Sequence, residues 1–422
     1  MDIFNRIGDE IESLWRDRNY DEAAFPALAA DALRRADIPS QTNVWDVAEW
    51  AIGEMELPRQ RDLHARFGDP PVTIYSAPRF HIDVYFWFNG TTSIHQHAFC
   101  GAFQVLHGSS IHSWYDFECE NKINTFMETG RMSLRLCELL EVGAVQEIQA
   151  GKDYIHGLFH LDHPSATIVV RTDLSPLHLP QYNYYKPSLA VDPFFEQETS
   201  VKKKQLLSAM VRAKHADADR LIDSLLGRSD LQTTFDILSS LRHLLKGDQL
   251  SEIFDLAGRR NRFDACLDAA ITRHGAAAEV LRDVFERQEL IDEIVIRRQF
   301  ATDPEHRFFL ALLMNVDGRE PIFELIRRRF PDKEPIEKVL DWTYDLATTR
   351  IAGGEKANVL GIADFGDVDI SVLEQMLLGL NGDEIAATLS GQLGPSASGM
   401  TAAIAEKEAR IRNAGIFRPL FA

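Results

Sequence analysis

The chain has 422 residues, 45 of them Lys or Arg and 64 Asp or Glu, for a formal net charge of −19 with histidine neutral. At roughly 150 residues per domain the length predicts two or three domains, and a make-up of 45% hydrophobic and 26% charged residues excludes disorder or a fibrous class for the chain as a whole. So acidic a surface repels phosphate backbones and anionic bilayers, so neither nucleic acid nor membrane is expected as the main partner. Cys100, Cys119, Cys137 and Cys266 show no CxxC pairing, which argues against a disulfide framework or a zinc knuckle. The first residues lack the pattern of a signal peptide, and no apolar run approaches a bilayer's length, so a cytoplasmic protein is expected.

Taken in chain order, three zones differ in period. Residues 1–69 read as a helical segment: Ile3, Phe4, Ile7, Ile11, Leu14 and Trp15 recur at helical spacing, as do apolar residues from Ala24 to Ala36, and Asn43 caps a third helix. Residues 70–190 change to a period of two and fill with β-branched and aromatic residues. Strands are predicted over Val72–Tyr75, Arg79–Phe88, Thr92–Phe99, Phe103–Leu106, Ile111–Phe117, Arg131–Leu140, Val145–Gln149 and Ala166–Thr172, enough for a jelly roll. Residues 173–195, with four prolines and the cluster Tyr182, Tyr184 and Tyr185, form a linker long enough to wrap that barrel.

From residue 191 to 422 an all-α domain is expected, with amphipathic runs Gln205–Leu226, Thr234–Leu245, Leu250–Leu256, His306–Met314, Ile322–Phe330, Ile336–Ala347 and Val372–Leu380. His306–Val316 is apolar nearly all round and so belongs in a core. The last segment, ending in Pro419 and apolar residues, docks in a groove on its own chain or a neighbour's. The fold class is therefore α+β: a jelly-roll barrel between an N-terminal helical segment and a large helical domain.

The sharpest chemical feature lies between Gly90 and Gly108. On a strand, His95 and His97 leave the same face and can converge on one cation, and Gly101, Phe103 and Val105 continue that face. Downstream, His156, His160 and His163 stand before the last predicted strand of the zone. Three imidazoles around one metal leave its other positions open. His160, just before the link into that strand, is one candidate for the third. His156 and His163 remain open, and 156 shares a face with 160, so one would bind metal and the other support it or shuttle protons. His81, Asp83, Tyr85 and Trp87 share a face that reads as solvated or domain-facing, His107 and His112 as flanking polar residues, and Cys100 as a buried small residue pointing away from the pair.

The arrangement Gly90, His95, His97, Gly108, followed by Gly151 and a later His, resembles the two metal-binding motifs of the cupin superfamily across roughly residues 70–175. The resemblance implies a double-stranded β-helix barrel and a metal site. In that family a Glu usually precedes the closing Gly of the first motif, but Gly101 stands at this position here, and Gln104 has the wrong parity. A three-His set without carboxylate resembles the thiol dioxygenases, which implies Fe(II), or another first-row divalent metal, held by His95, His97 and His160, with dioxygen as co-substrate. The Ser-His-Tyr relay of those enzymes has no counterpart in Thr167–Thr172, but an inward-facing Arg171 would recognise a carboxylate. The expected function is a non-haem iron dioxygenase acting on a small thiol, amino acid or peptide-borne side chain. The alternatives are a non-catalytic ligand- or metal-binding module whose helical domain engages a protein or a second copy, and a metal-dependent isomerase or lyase.

Overall fold

The computed structural model describes residues 1–64, 67–88, 90–246, 262–351, 358–393 and 397–422. The expected helix over Leu250–Leu256 lies outside them.

The opening segment folds as α1 (Asp2–Arg16), α2 (Phe25–Ala36) and α3 (Val44–Gly53). On α1 the residues Phe4, Ile7, Ile11 and Trp15 form one buried stripe. Asn43 caps α3: its side-chain oxygen accepts from the Trp45 and Asp46 N–H groups, and the Asp46 carboxylate accepts from the Asn43 N–H at 2.8 Å.

These helices cover one face of a five-stranded antiparallel sheet made of β1 (Pro71–Ser76), β2 (Phe80–Trp87), β4 (Gly101–His107), β7 (Val145–Ile148) and β9 (Ser165–Thr172), in the order β1-β2-β9-β4-β7. Every residue of β2 is buried. Phe80, Ile82, Val84 and Phe86 join Ala102, Leu106, Ala166, Ile168 and Val170 in the core under the helices. Period-two alternation then sends His81, Asp83, Tyr85 and Trp87 to the opposite face, which is the barrel interior.

The second sheet closes on itself. Its strands are β3 (Ile94–His97), β5 (Ser110–Asn124), β6 (Met127–Leu140), β8 (Gly151–His160), β10 (Asn183–Tyr185) and β11 (Leu189–Val191), in the cyclic order β10-β11-β6-β5-β8-β3. The stretch expected to wrap the barrel thus supplies two of its strands, and β10 closes the ring by pairing Asn183 with His95 and Tyr184 with Ile94. The hairpin β5–β6 runs past the predicted strand ends at Phe117 and Arg131. Its polar tip is largely exposed on both faces, so no apolar alternation announces it. Strand β8 covers a segment expected only as the approach to the next strand.

The helical part comprises α4 (Glu198–Arg212), α5 (Ala218–Leu226), α6 (Leu231–Lys246), α7 (Arg262–His274), α8 (Ala276–Arg298), α9 (Pro304–Asn315), α10 (Arg319–Arg329), α11 (Pro335–Thr348), α12 (Asp367–Leu377), α13 (Gly382–Leu393) and α14 (Ala397–Asn413). The expected run Gln205–Leu226 is broken between α4 and α5, where Lys214 has a φ of 53°. Phe308–Leu313 of α9 are all buried, and Ile416, Phe417 and Leu420 of the C-terminal segment dock in the same core of this chain. That core also contains Ile111, Cys137, Phe159 and Leu161 of the barrel region, so barrel and helices share one continuous apolar interior. Two buried arginines fasten them. Arg298 of α8 donates to the His160 carbonyl at 2.8 Å, and Arg307 of α9 donates to the carbonyls of Leu161 and Ala301 at 3.2 and 2.6 Å.

Candidate metal centre

Strands β3 and β8 are neighbours in the closed sheet, and their register sets His95 directly opposite His156. His97 lies beyond an irregularity in that pairing and keeps its ring on the same side, 4.5 Å from the His95 ring. One ring nitrogen from each of His95, His97 and His156 lies within 4.8 Å of the other two, and among the described residues this is the one group of three or more such ligands. His97 Nε2 and His156 Nε2 are 3.0 Å apart, close to the spacing of roughly 3 Å that two nitrogens take on one ion at about 2.1 Å.

All three residues are buried. Desolvation lowers the pKa of His95 and pushes His97 and His156 well below the usual histidine range, so the rings are neutral and carry lone pairs. His95 Nε2 is buried with no hydrogen-bond partner, while its Nδ1 lies 2.7 Å from the Ser93 carbonyl, which orients the ring. A buried acceptor left without a partner is costly. A cation bound by these nitrogens would satisfy it, so the donor set fits a metal ion.

The preferred third imidazole is therefore corrected. His160 is not in the group: its ring stacks on Trp87 at 4.6 Å and its Nδ1 hydrogen-bonds Ser165 Oγ at 2.7 Å. His163 is exposed and contacts the Phe88 carbonyl through Nδ1. His156, expected as a supporting residue or proton shuttle if His160 bound the metal, is itself the third member. The parity argument holds, since 156 and 160 share a face. The choice between them depends on where β8 lies against β3, which is a long-range fact.

The absence of a carboxylate has a steric cause. A Cβ added at Gly101 would lie 2.0 Å from the Val170 carbonyl oxygen, so the position where cupins carry Glu cannot hold a side chain here. Gln104 donates to the Gly143 carbonyl at the β7 end of the sheet and leaves the centre alone. Cys100 points away as expected, its thiol against the Glu22 carbonyl and its pKa raised to about 11 by burial.

Around the imidazoles the interior is aromatic on one side and polar on the other. Phe99 packs on His97 with ring centroids 4.4 Å apart, and the Arg171 guanidinium lies 3.6 Å from the Phe99 centroid. Arg171 does face inward, close enough for its charge to help depress His97. Its Nε is buried without a partner. The face read as solvated proves to be an interior wall: His81 Nε2 lies 3.3 Å from Asp83, which accepts from Thr73 Oγ1 at 2.7 Å and from the Tyr85 hydroxyl at 3.2 Å. Burial alone would raise the Asp83 pKa, but His81, Thr73 and Arg171 outweigh it and hold the carboxyl below its usual value.

Three contributors were not anticipated. His112 is fully buried, its ring 5.3 Å from His156, with Nδ1 3.1 Å from Glu138 and Nε2 3.2 Å from the Tyr154 hydroxyl. Tyr154 packs 4.4 Å from His156. Phe67 meets His95, Tyr85 and Trp87 edge-on from the loop before β1. The period-two pattern of β5 and β8 carries the first two, since His112 and Tyr154 lie on inward faces. No local pattern marks Phe67.

The closed antiparallel barrel and its three-His group are compatible with a cupin-like metal site. No protein-family model and no curated protein matches the chain.

Proposed function

We propose that this chain is a metal-dependent cupin oxygenase, a non-haem Fe(II) dioxygenase whose substrate is a small thiol, amino acid or peptide-borne side chain. The observation that carries this reading is the convergence of three buried, neutral imidazoles, two of them with an unpartnered nitrogen, inside a barrel. When bound, a ferrous ion would supply the centre at which dioxygen and substrate react. His95, His97 and His156 would hold it, and three neutral ligands leave its full positive charge to attract an anion. Arg171 extends that attraction along the wall and is the residue to receive a substrate carboxylate. Phe99, Phe103 and Val105 exclude water from the same side. Tyr154 and His112 hold the His156 ring in place.

Anaerobic reconstitution with ferrous iron followed by elemental analysis and oxygen-uptake assays tests the reading. About one metal per chain is expected, lost in His156→Ala and retained in His160→Ala. Metal content near zero for every first-row ion, or a His97→Ala variant that keeps full occupancy, overturns it. Turnover unchanged without oxygen would replace the oxygenase by an isomerase or lyase.

A further inference from the structure

A second site lies on the outside of the barrel, in the seam against the helical part. A cavity of about 380 Å³ opens there, walled by Tyr115, Met132 and Leu134 of the β5–β6 hairpin on one side and by Arg287, Asn315 and Asp317 on the other. Lys186, in the turn between β10 and β11, reaches into it and also borders a second cavity of about 240 Å³ between β3, β8 and α8.

Most of the polar groups here are already matched, the exposed Asp283 carboxylate at the rim and Lys186 being exceptions. Arg287 pairs with Asp317 at 2.9 Å, and Arg418 with Glu286 at 2.6 Å. Asn315 accepts from the Tyr115 hydroxyl and donates to the Ala311 carbonyl. Lys186 has no carboxylate within 4 Å among the described residues. Its Nζ donates to the Asn315 carbonyl at 3.1 Å and sits 4.8 Å from the centre of the Tyr115 ring. A half-buried lysine with no carboxylate in contact loses part of its ammonium's solvation, which favours the amine form relative to a solvated lysine.

We propose that Lys186 is a nucleophilic amine that captures a small carbonyl compound with an apolar or aromatic body in this cavity. The two arginines are spent on acids, so nothing selects a multiply charged anion, and the Tyr115, Met132 and Leu134 wall suits an uncharged ring or chain. The Nζ lone pair adds to the carbonyl carbon and forms the C–N bond. The carbonyl oxygen takes both amine protons and leaves as water, which yields an imine with no change of oxidation state. This site uses none of the imidazoles of the barrel interior and stands or falls separately from the metal reading.

Burial, with Arg287 as the next cause, lowers the Lys186 pKa to about 7, against Asp317 and the Cys137 thiol, which act in the other direction. At neutral pH about half the side chains would then be free amine, against roughly one in 2,500 for an ordinary lysine, and the lower basicity returns part of that gain, leaving about a thirtyfold advantage in rate.

The test is reductive labelling of the full chain with benzaldehyde and cyanoborohydride at pH 7, read by peptide mapping. Lys186 should be modified about thirtyfold faster than the exposed Lys203 and Lys214, and the fast phase should vanish in Lys186→Arg while the slow surface labelling persists. Equal or slower labelling of Lys186 in the wild-type chain overturns the proposal without recourse to any variant. So does a fast phase that survives in Lys186→Arg.

Discussion

At the scale of single residues, the space around Gly101 limits what β4 can offer to the candidate centre. Because its missing Cβ faces the Val170 carbonyl at 2.0 Å, Gly101→Ala should lower stability by about 1–3 kcal/mol, measured by urea denaturation. An unchanged midpoint would mean that β4 and β9 yield easily and that the three-His set is not sterically enforced. Lys186 carries a second residue-scale prediction, with its sign set by linkage. Its pKa is near 7 in the folded chain and about 10.4 when unfolded, so between those values the unfolded chain binds more protons and stability rises with pH. Lys186→Met should therefore stabilise by about 2 kcal/mol below pH 7, a discounted figure because the side chain is partly exposed, and the gain should shrink towards pH 10. A gain independent of pH would refute this. His95 and His97 were legible from strand parity alone. His156 was not distinguishable from His160, because both satisfy the same parity and the pairing of β3 with β8 that separates them is non-local.

At the scale of elements, the contact between β8 and the helical part is polar as well as apolar. Arg307 of α9 is buried and holds two backbone carbonyls, one of them just past β8. Arg307→Met would leave those acceptors unsatisfied and should cost about 2–3 kcal/mol, seen as a lower denaturation midpoint. It should also loosen amide protection at the end of β8 in hydrogen exchange. Protection unchanged there would show that the apolar seam alone holds the strand. The strands themselves were legible where apolar and polar residues alternate. They were not legible in the outer half of the β5–β6 hairpin, where both faces are wet, or in β8, whose inner face carries histidines in place of aliphatic residues. The misreading of His81, Asp83, Tyr85 and Trp87 has the same origin: polar alternation ordinarily marks a solvent face, and a polar barrel interior mimics it.

At the scale of the molecule, the apolar interior that joins Ile111, Cys137, Phe159 and Leu161 to the helices argues that a chain cut near residue 195 would not behave as a free barrel. It should aggregate or bind hydrophobic dyes on size-exclusion and fluorescence assays, whereas the full chain should melt in one calorimetric transition. A soluble, monodisperse fragment would disprove that coupling. The three-zone layout was readable from the change of period, but the seam between zones was not, since an amphipathic helix does not say which surface it covers. Finally, β2 divides the molecule, one set of its alternate side chains built into the helix-covered core and the other into the barrel lining. A single inserted or deleted residue within Phe80–Trp87 would exchange the two sets, turning His81 and Asp83 into the helices and Ile82 and Val84 into the chamber. A change of length in this strand should therefore cost more than a substitution at any one of its positions, so that the reading frame of its pleat is itself a determinant of the site.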